Sequence, residues 1–165
     1  MKLFDIHNTI TYDGRDITNI LKRVMVPNII KEQGTAFYNY IIQDGDTPEA
    51  LAYKLYDDVN KHWIILALND IIDPHFDWLL SENEVWSLTE SKYGLGNEDS
   101  IHHYIDDTEE PIWDDRSNDP SGNALTSITN IVHEINENEK KREIKILHQR
   151  YVKQFEKEYK AVISE

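Results

Sequence analysis

The sequence predicts an α+β protein in which a small βαα(β) core carries an N-terminal arm, an acidic loop and a long C-terminal helix. Residues 37–42 are aromatic and β-branched side chains with one Asn, which is typical of a strand. Residues 47–95 hold apolar segments that begin with helix-capping residues, and residues 151–163 repeat apolar side chains at helical spacing. With 165 residues, of which 39% are hydrophobic, the chain is long enough for one ordinary domain with extensions.

The arm is predicted to span residues 1–36 and to contain one short helix at 16–26, which Pro27 ends. One or two amphipathic turns are marginal in isolation, so this helix needs a surface to lie against. That surface is either a partner protein or the chain's own domain, and the sequence leaves both open. The candidate contact residues at helical spacing are Ile17, Ile20, Leu21 and Val24.

The core is predicted to span residues 37–95 and to begin with a strand, a tight turn and a helix. In the stretch YIIQDGDTPEALAYKLYDD, Gly45 suits a positive φ in the turn. Thr47 is placed to cap the free N–H groups of the helix, and Pro48 fits its first position.

Two more helices are predicted to complete this core. The segment HWIILALN belongs to a second helix with Trp63 turned inward, and a turn containing Asp73–Pro74 follows. Ser81–Glu84 forms a capping box that begins a third helix. We expect Trp86 to pack on the buried side of that third helix.

Residues 96–123 are predicted to form an acidic loop region. IHHYID at 101–106 alternates like an edge strand, and the residues after it are acidic and rich in turn formers. Trp113 is the one large aromatic residue of the acidic stretch 106–123. Together with Trp78, which is flanked by polar residues and a Pro-containing turn, it is expected to be partly exposed and to anchor a protein interface.

Residues 124–165 are predicted to be a C-terminal helical docking segment. It holds a first helical stretch, the strand-like EIKIL, and the amphipathic QRYVKQFEKEYKAVI. Three aromatic residues on one side of that last helix are candidate interface residues: Tyr151, Phe155 and Tyr159.

The charge and residue types exclude several functions. Lys+Arg number 17 against 31 Asp+Glu, a net charge of -14, which disfavours nucleic acid or an anionic membrane as the main partner. Cysteine is absent, so disulfides and thiol chemistry are excluded. His102–His103 are neighbours on a strand, so a regular pleat turns them to opposite faces and no metal site is expected. Carboxylate pairs are too abundant to single out catalytic residues, and we predict no catalytic residue, cofactor or enzymatic activity.

The stretch YIIQDGDTPEALAYKLY…HWIILALND…DP resembles a LysM module, in which a strand, a GDT turn and two helices precede a second strand. The resemblance covers residues 40–80. It implies a peptidoglycan- or chitin-binding fold, so a glycan-binding module is one hypothesis for this chain. After the DP turn, however, the sequence runs into a helix where glycan-binding modules continue with a second strand.

A longer set of motifs is similar to the baseplate wedge subunit family of T-even-type contractile-tailed phages. Six blocks follow the order of that family, at 12–24, 40–56, 62–81, 92–94, 101–104 and 138–160. The resemblance implies a virion structural protein of the tail baseplate, made in the host cytoplasm, with a LysM-like core. Its implied partners are other wedge proteins and adjacent wedges. A glycan-binding module and a cell-wall-degrading enzyme are the alternatives.

Overall fold

The computed structural model describes residue 3 and residues 7–19, 35–105, 111–113 and 125–164. This part of the chain contains six α-helices and seven strands, which confirms the α+β class. The strands are β1 (Thr9–Tyr12), β2 (Arg15–Thr18), β3 (Phe37–Ile41), β4 (Ile101–Ile105), β5 (Pro111–Ile112), β6 (Thr126–Thr129) and β7 (Glu143–Leu147). The helices are α1 (Pro48–Tyr56), α2 (His62–Leu68), α3 (Pro74–Asp77), α4 (Glu82–Tyr93), α5 (Asn130–Glu139) and α6 (Val152–Ser164).

The chain divides into two compact units. The first unit combines the described residues up to Trp78 with those from Glu143 onward, and the second unit is Leu79–Arg142. The strand β7, which lies in the predicted C-terminal segment, therefore belongs to the same unit as β3.

The first unit is built on β3 and β7, which pair antiparallel from Phe37↔Leu147 to Ile41↔Glu143. Between them in the sequence this unit has α1, α2 and the one-turn helix α3, so the order from β3 to β7 within the unit is a strand, three helices and a strand. Helix α1 begins as predicted, because Thr47 Oγ1 accepts a hydrogen bond from the Ala50 N–H at 3.1 Å. Its fully buried side chains form the core together with those of α2 and β7: Leu51, Ala52, Ile64, Ile65, Leu68 and Ile146.

The amphipathic helix predicted near the C-terminus is confirmed as α6, after a 3₁₀ turn at Gln149–Tyr151. Its apolar side packs within the first unit. The Tyr159 ring lies 4.9 Å from the Trp63 ring, centroid to centroid, and Val152 and Ile163 are buried beside it. The helix therefore contributes to the core.

The predicted helix at residues 16–26 is wrong for its described part. Residues 15–18 form β2, which pairs with β1 in a two-residue hairpin. The turn residues Asp13 and Gly14 both have positive φ, 48° and 71°, which is the backbone of a type I′ turn. An Asp-Gly turn between two short strands outweighs the helical spacing of the apolar residues. The other arm candidates, Ile20, Leu21 and Val24, lie outside the described residues.

The second unit contains α4, α5 and a three-stranded antiparallel sheet in the order β5-β4-β6. The capping box of α4 is confirmed, since the Ser81 N–H donates to Glu84 Oε2 at 2.8 Å. The prediction of an edge strand at IHHYID is wrong, because β4 lies between β5 and β6. The segments that form β5 and β6 have no clear strand pattern, so the sequence did not indicate that they pair with β4.

Candidate functional site

The four tryptophans have very different surroundings. Trp63 is buried as predicted, and Trp113 is 70% exposed, as expected for an interface anchor. Trp86 is 40% exposed, so its predicted core position is wrong: the buried side of α4 is formed by Val85 and Thr89, one turn apart. Trp78 is only 6% exposed, so its predicted partial exposure is also wrong.

The burial of Trp78 has a specific cause in the first unit. Its indole Nε1–H donates to the backbone oxygen of Asp46 at 2.9 Å. A buried indole needs such an acceptor, and the turn before α1 provides it. This bond joins the turn before α1 to the segment at 71–78, which contains α3 and on which Ile72 and Phe76 are exposed.

The aromatic residues of the C-terminal helix are mostly engaged within the chain. Tyr159 is buried against Trp63, whereas Phe155 and Tyr151 are half-buried. The guanidinium carbon of Arg150 lies 4.8 Å from the centroid of the Tyr151 ring. Of these three candidates, Tyr159 is the least accessible to a partner.

The hairpin β1–β2 has one mainly apolar face and one polar face. Ile10 and Ile17 are directly paired, so their side chains lie on the same face, which the next pair, Tyr12 and Arg15, shares. The three apolar side chains of this face are exposed. On the opposite face, Thr11 Oγ1 donates to Asp16 Oδ1 at 2.7 Å. An exposed apolar face on a two-stranded hairpin is typical of a surface that another protein covers.

The second unit gathers three histidines that the sequence places apart. His102 and His103 follow one another on β4, and His133 lies on α5; one ring nitrogen from each lies within 4.8 Å of those from the other two. The expectation that His102 and His103 face opposite sides is wrong, since their Nδ1 atoms are 2.8 Å apart. The cause is an irregularity in the β4–β6 register between Ile101 and His103, because such a bulge redirects a side chain.

The imidazoles of this cluster stack on one another and on an exposed indole. The ring centroids of His102 and His133 are 3.9 Å apart with nearly parallel planes, and the Trp113 ring lies 5.3 Å from His102 and 5.5 Å from His103. Burial is the main cause that lowers the pKa of both His102 and His103, and the nearby His133 lowers it further. Both imidazoles therefore favour the neutral form.

Beside the cluster, the buried carboxylate of Glu134 is held by two donors from α4. Lys92 Nζ lies 2.6 Å and Tyr93 Oη 2.7 Å from Glu134 Oε1. Burial by itself raises the pKa of Glu134, but these two hydrogen bonds and the Lys92 charge outweigh it, and the net pKa is lowered. Glu134 is therefore a structural anion that ties α5 to α4.

Exposed apolar side chains lie on the β1–β2 hairpin of the first unit and at Trp113 of the second unit. Such surfaces are typical of a protein that works through contacts with other proteins. The family described as Base plate wedge protein 53 matches residues 2–124. The chain belongs to this family, which confirms the expectation drawn from the sequence motifs.

Two kinds of relatives are similar to this chain. The baseplate wedge protein gp53 of Enterobacteria phage T4 is 22% identical over 171 residues, covering 88% of this chain and 87% of that protein. Two esterases of Mycobacterium tuberculosis are 34% identical over 59 residues, which is 36% of this chain but only 11% of each esterase.

Membership of the family gives the chain a structural role in the phage tail baseplate, where it contacts other baseplate proteins. None of the helices in the described part of the chain combines the length and the apolarity that a membrane crossing requires.

Proposed function

We propose that this chain joins neighbouring wedge subunits, and adjacent wedges, by protein–protein contacts, and that its first unit is a LysM-like fold serving as the scaffold. The proposal assigns it no catalytic step and no cofactor. The observation that carries it is the exposed apolar face of the β1–β2 hairpin in a member of a baseplate wedge family.

The order of the first unit supports a LysM-like scaffold. A LysM module consists of a strand, a turn with GDT, two helices and a second strand, and here β3, α1, α2 and β7 follow in that order with β3 and β7 antiparallel. The second unit, Leu79–Arg142, is inserted before the last strand. This insertion accounts for the helical sequence found where a second strand is expected after the DP turn.

The hairpin face supports the assembly role because it is apolar without being needed for a core. Ile10, Ile17 and Tyr12 remain exposed in the isolated chain. Covering aromatic and aliphatic side chains is the main source of affinity at protein interfaces. Trp113 offers a second anchor of this type on the other unit, while Ile20, Leu21 and Val24 stay predicted contacts.

We expect the substitution Ile17→Asp to lower co-purification of the chain with its sister wedge proteins by about tenfold or more. A carboxylate in a covered apolar face is desolvated without a partner, and about 1.4 kcal/mol already corresponds to tenfold. The measurement is a pull-down of co-expressed wedge proteins followed by quantification of each band.

The matched control is Thr18→Asp, which puts the same charge on the polar face of the same hairpin. It should leave co-purification near the wild-type level. Equal losses in both variants, or no loss in Ile17→Asp, would contradict the assignment of this face as an interface. Trp113→Ala tests the second anchor in the same assay.

Glycan binding is a second candidate, favoured by the contact between Trp78 and Asp46. It brings together residues 45–48 and 71–78, where the LysM resemblance predicts the glycan contacts, next to the exposed side chains of Ile72 and Phe76. A titration with chitin or peptidoglycan oligomers, followed by NMR, tests it. Shifts confined to these loops would support glycan binding, and no shift at millimolar glycan would rule it out.

An enzymatic role is the remaining alternative. If the chain is not an enzyme, the purified protein should release no soluble products from cell walls. Release that a single carboxylate substitution abolishes would contradict the proposal.

A further inference from the structure

We propose that His102, His103 and His133 bind a divalent transition-metal ion such as Zn²⁺, each through one imidazole nitrogen. The site lies within the second unit, next to Trp113, which the proposed assembly role uses as an anchor.

The distances suit one small ion. The three candidate nitrogens all lie within 4.8 Å of one another, and His102 Nδ1 and His103 Nδ1 are 2.8 Å apart. Zn–N bonds of about 2.1 Å in a tetrahedral arrangement place ligand nitrogens roughly 3.4 Å apart. Because the His102 and His133 rings are stacked with nearly parallel planes, binding one ion also requires these rings to turn until both nitrogen lone pairs point at it.

The backbone around the three histidines is held in place. The start of α5 is joined to the chain just before β4, since the Asn130 N–H donates to Ser100 O and the Ile131 N–H to Glu98 O, both at 3.0 Å. His133 is thereby fixed across from β4. The bulge in β4 then turns two consecutive side chains toward it.

The ligand chemistry selects the metal class. Three imidazole ligands suit Zn²⁺, Co²⁺, Ni²⁺ or Cu²⁺, whereas Mg²⁺ and Ca²⁺ require oxygen ligands. Glu134 is adjacent in sequence, but its Oε1 already binds Lys92 and Tyr93. The set is therefore three nitrogens with a fourth position left for water, in the manner of open three-histidine zinc sites.

The test is a Co²⁺ titration of the full-length, tag-free chain after dialysis against a chelator, with Zn²⁺ competition. We expect visible absorption bands of low-coordinate Co²⁺ at one equivalent, which one equivalent of Zn²⁺ removes and excess Mg²⁺ does not. Zn²⁺ should also raise the unfolding temperature, because it binds the folded state.

The decisive variant is His133→Phe, which keeps an aromatic ring stacked on His102 but removes the nitrogen. We expect its metal affinity to fall by at least about tenfold, since even an outer partner of a metal ligand contributes 10- to 100-fold. Its metal-free unfolding temperature should stay near that of the wild type. His75→Gln, an exposed histidine of the first unit, is the control and should bind Co²⁺ like the wild type.

Wild-type protein that shows no Co²⁺ bands, or His133→Phe protein that binds as tightly as wild type, would overturn the proposal. So would equal weakening in His75→Gln, because it would place the ion elsewhere. In each of these cases the three histidines serve as an aromatic packing cluster with Trp113.

Discussion

Ile146→Ala is expected to destabilise the first unit by about 2–5 kcal/mol, the usual range for truncating a buried aliphatic side chain. Ile146 is fully buried on β7, opposite Tyr38 of β3. The truncation removes apolar contacts and leaves a cavity among the side chains of α1 and α2 that face the sheet. Denaturant unfolding followed by circular dichroism measures the change.

Ile41→Ala is the matched control for this prediction. Ile41 belongs to the same two-stranded sheet but is 59% exposed, so its truncation should change stability by no more than about 0.5 kcal/mol. The comparison tests the claim that a strand at residues 143–147 completes the unit begun at residue 37. Equal effects at the two positions would contradict that claim.

Asn69→Leu is expected to cost about 2–4 kcal/mol, because one side chain makes three hydrogen bonds to backbone groups. Its Nδ2 donates to Ile65 O at 2.8 Å and to Lys145 O at 2.9 Å, and its Oδ1 accepts from the Lys145 N–H at 2.7 Å. Lys145 lies on β7 with its N–H and C=O turned away from β3. Asn69 thus ends α2 and binds the free side of β7, so its loss weakens the attachment of the helix to the sheet.

Two further variants sharpen the Asn69 prediction. Asn69→Asp keeps the acceptor but replaces the donor by a carboxylate facing two carbonyl oxygens, so it should destabilise at least as strongly at neutral pH. Asn39→Ala removes an exposed amide of the same sheet that binds Glu143, and should cost less than about 1 kcal/mol. A loss at Asn69→Leu no larger than at Asn39→Ala would show that the bonds to Lys145 contribute little.

A second asparagine has the same function in the other unit. Asn138 Oδ1 accepts from the Leu80 N–H and its Nδ2 donates to Leu80 O, both at 2.9 Å. The side chain amide thereby pairs with a backbone residue as a neighbouring strand would. Neither asparagine can be recognised from the sequence as such a clamp, because its partner is 58 or 76 residues away.

The structure also explains why one candidate site could not be found from the sequence. Consecutive residues of a regular strand point to opposite faces, so the sequence predicts no metal site at His102–His103. The bulge at Ile101–His103 breaks this alternation, and His133 reaches the pair only through the packing of α5. The Asp13–Gly14 hairpin, by contrast, carried a recognisable turn signal that the helical spacing of the nearby isoleucines obscured.

The sequence by itself determined the local elements and the family: the start of α1 at Thr47 and Pro48, the capping box of α4, the amphipathic α6 and the ordered wedge motifs. These depend on residues within a turn or two of one another, so their spacing carries the information. Only the tertiary structure decided that β7 pairs with β3, that Trp78 is buried while Trp86 is exposed, and that three histidines meet. Those outcomes depend on which distant segment covers each face, and local patterns do not encode the covering segment.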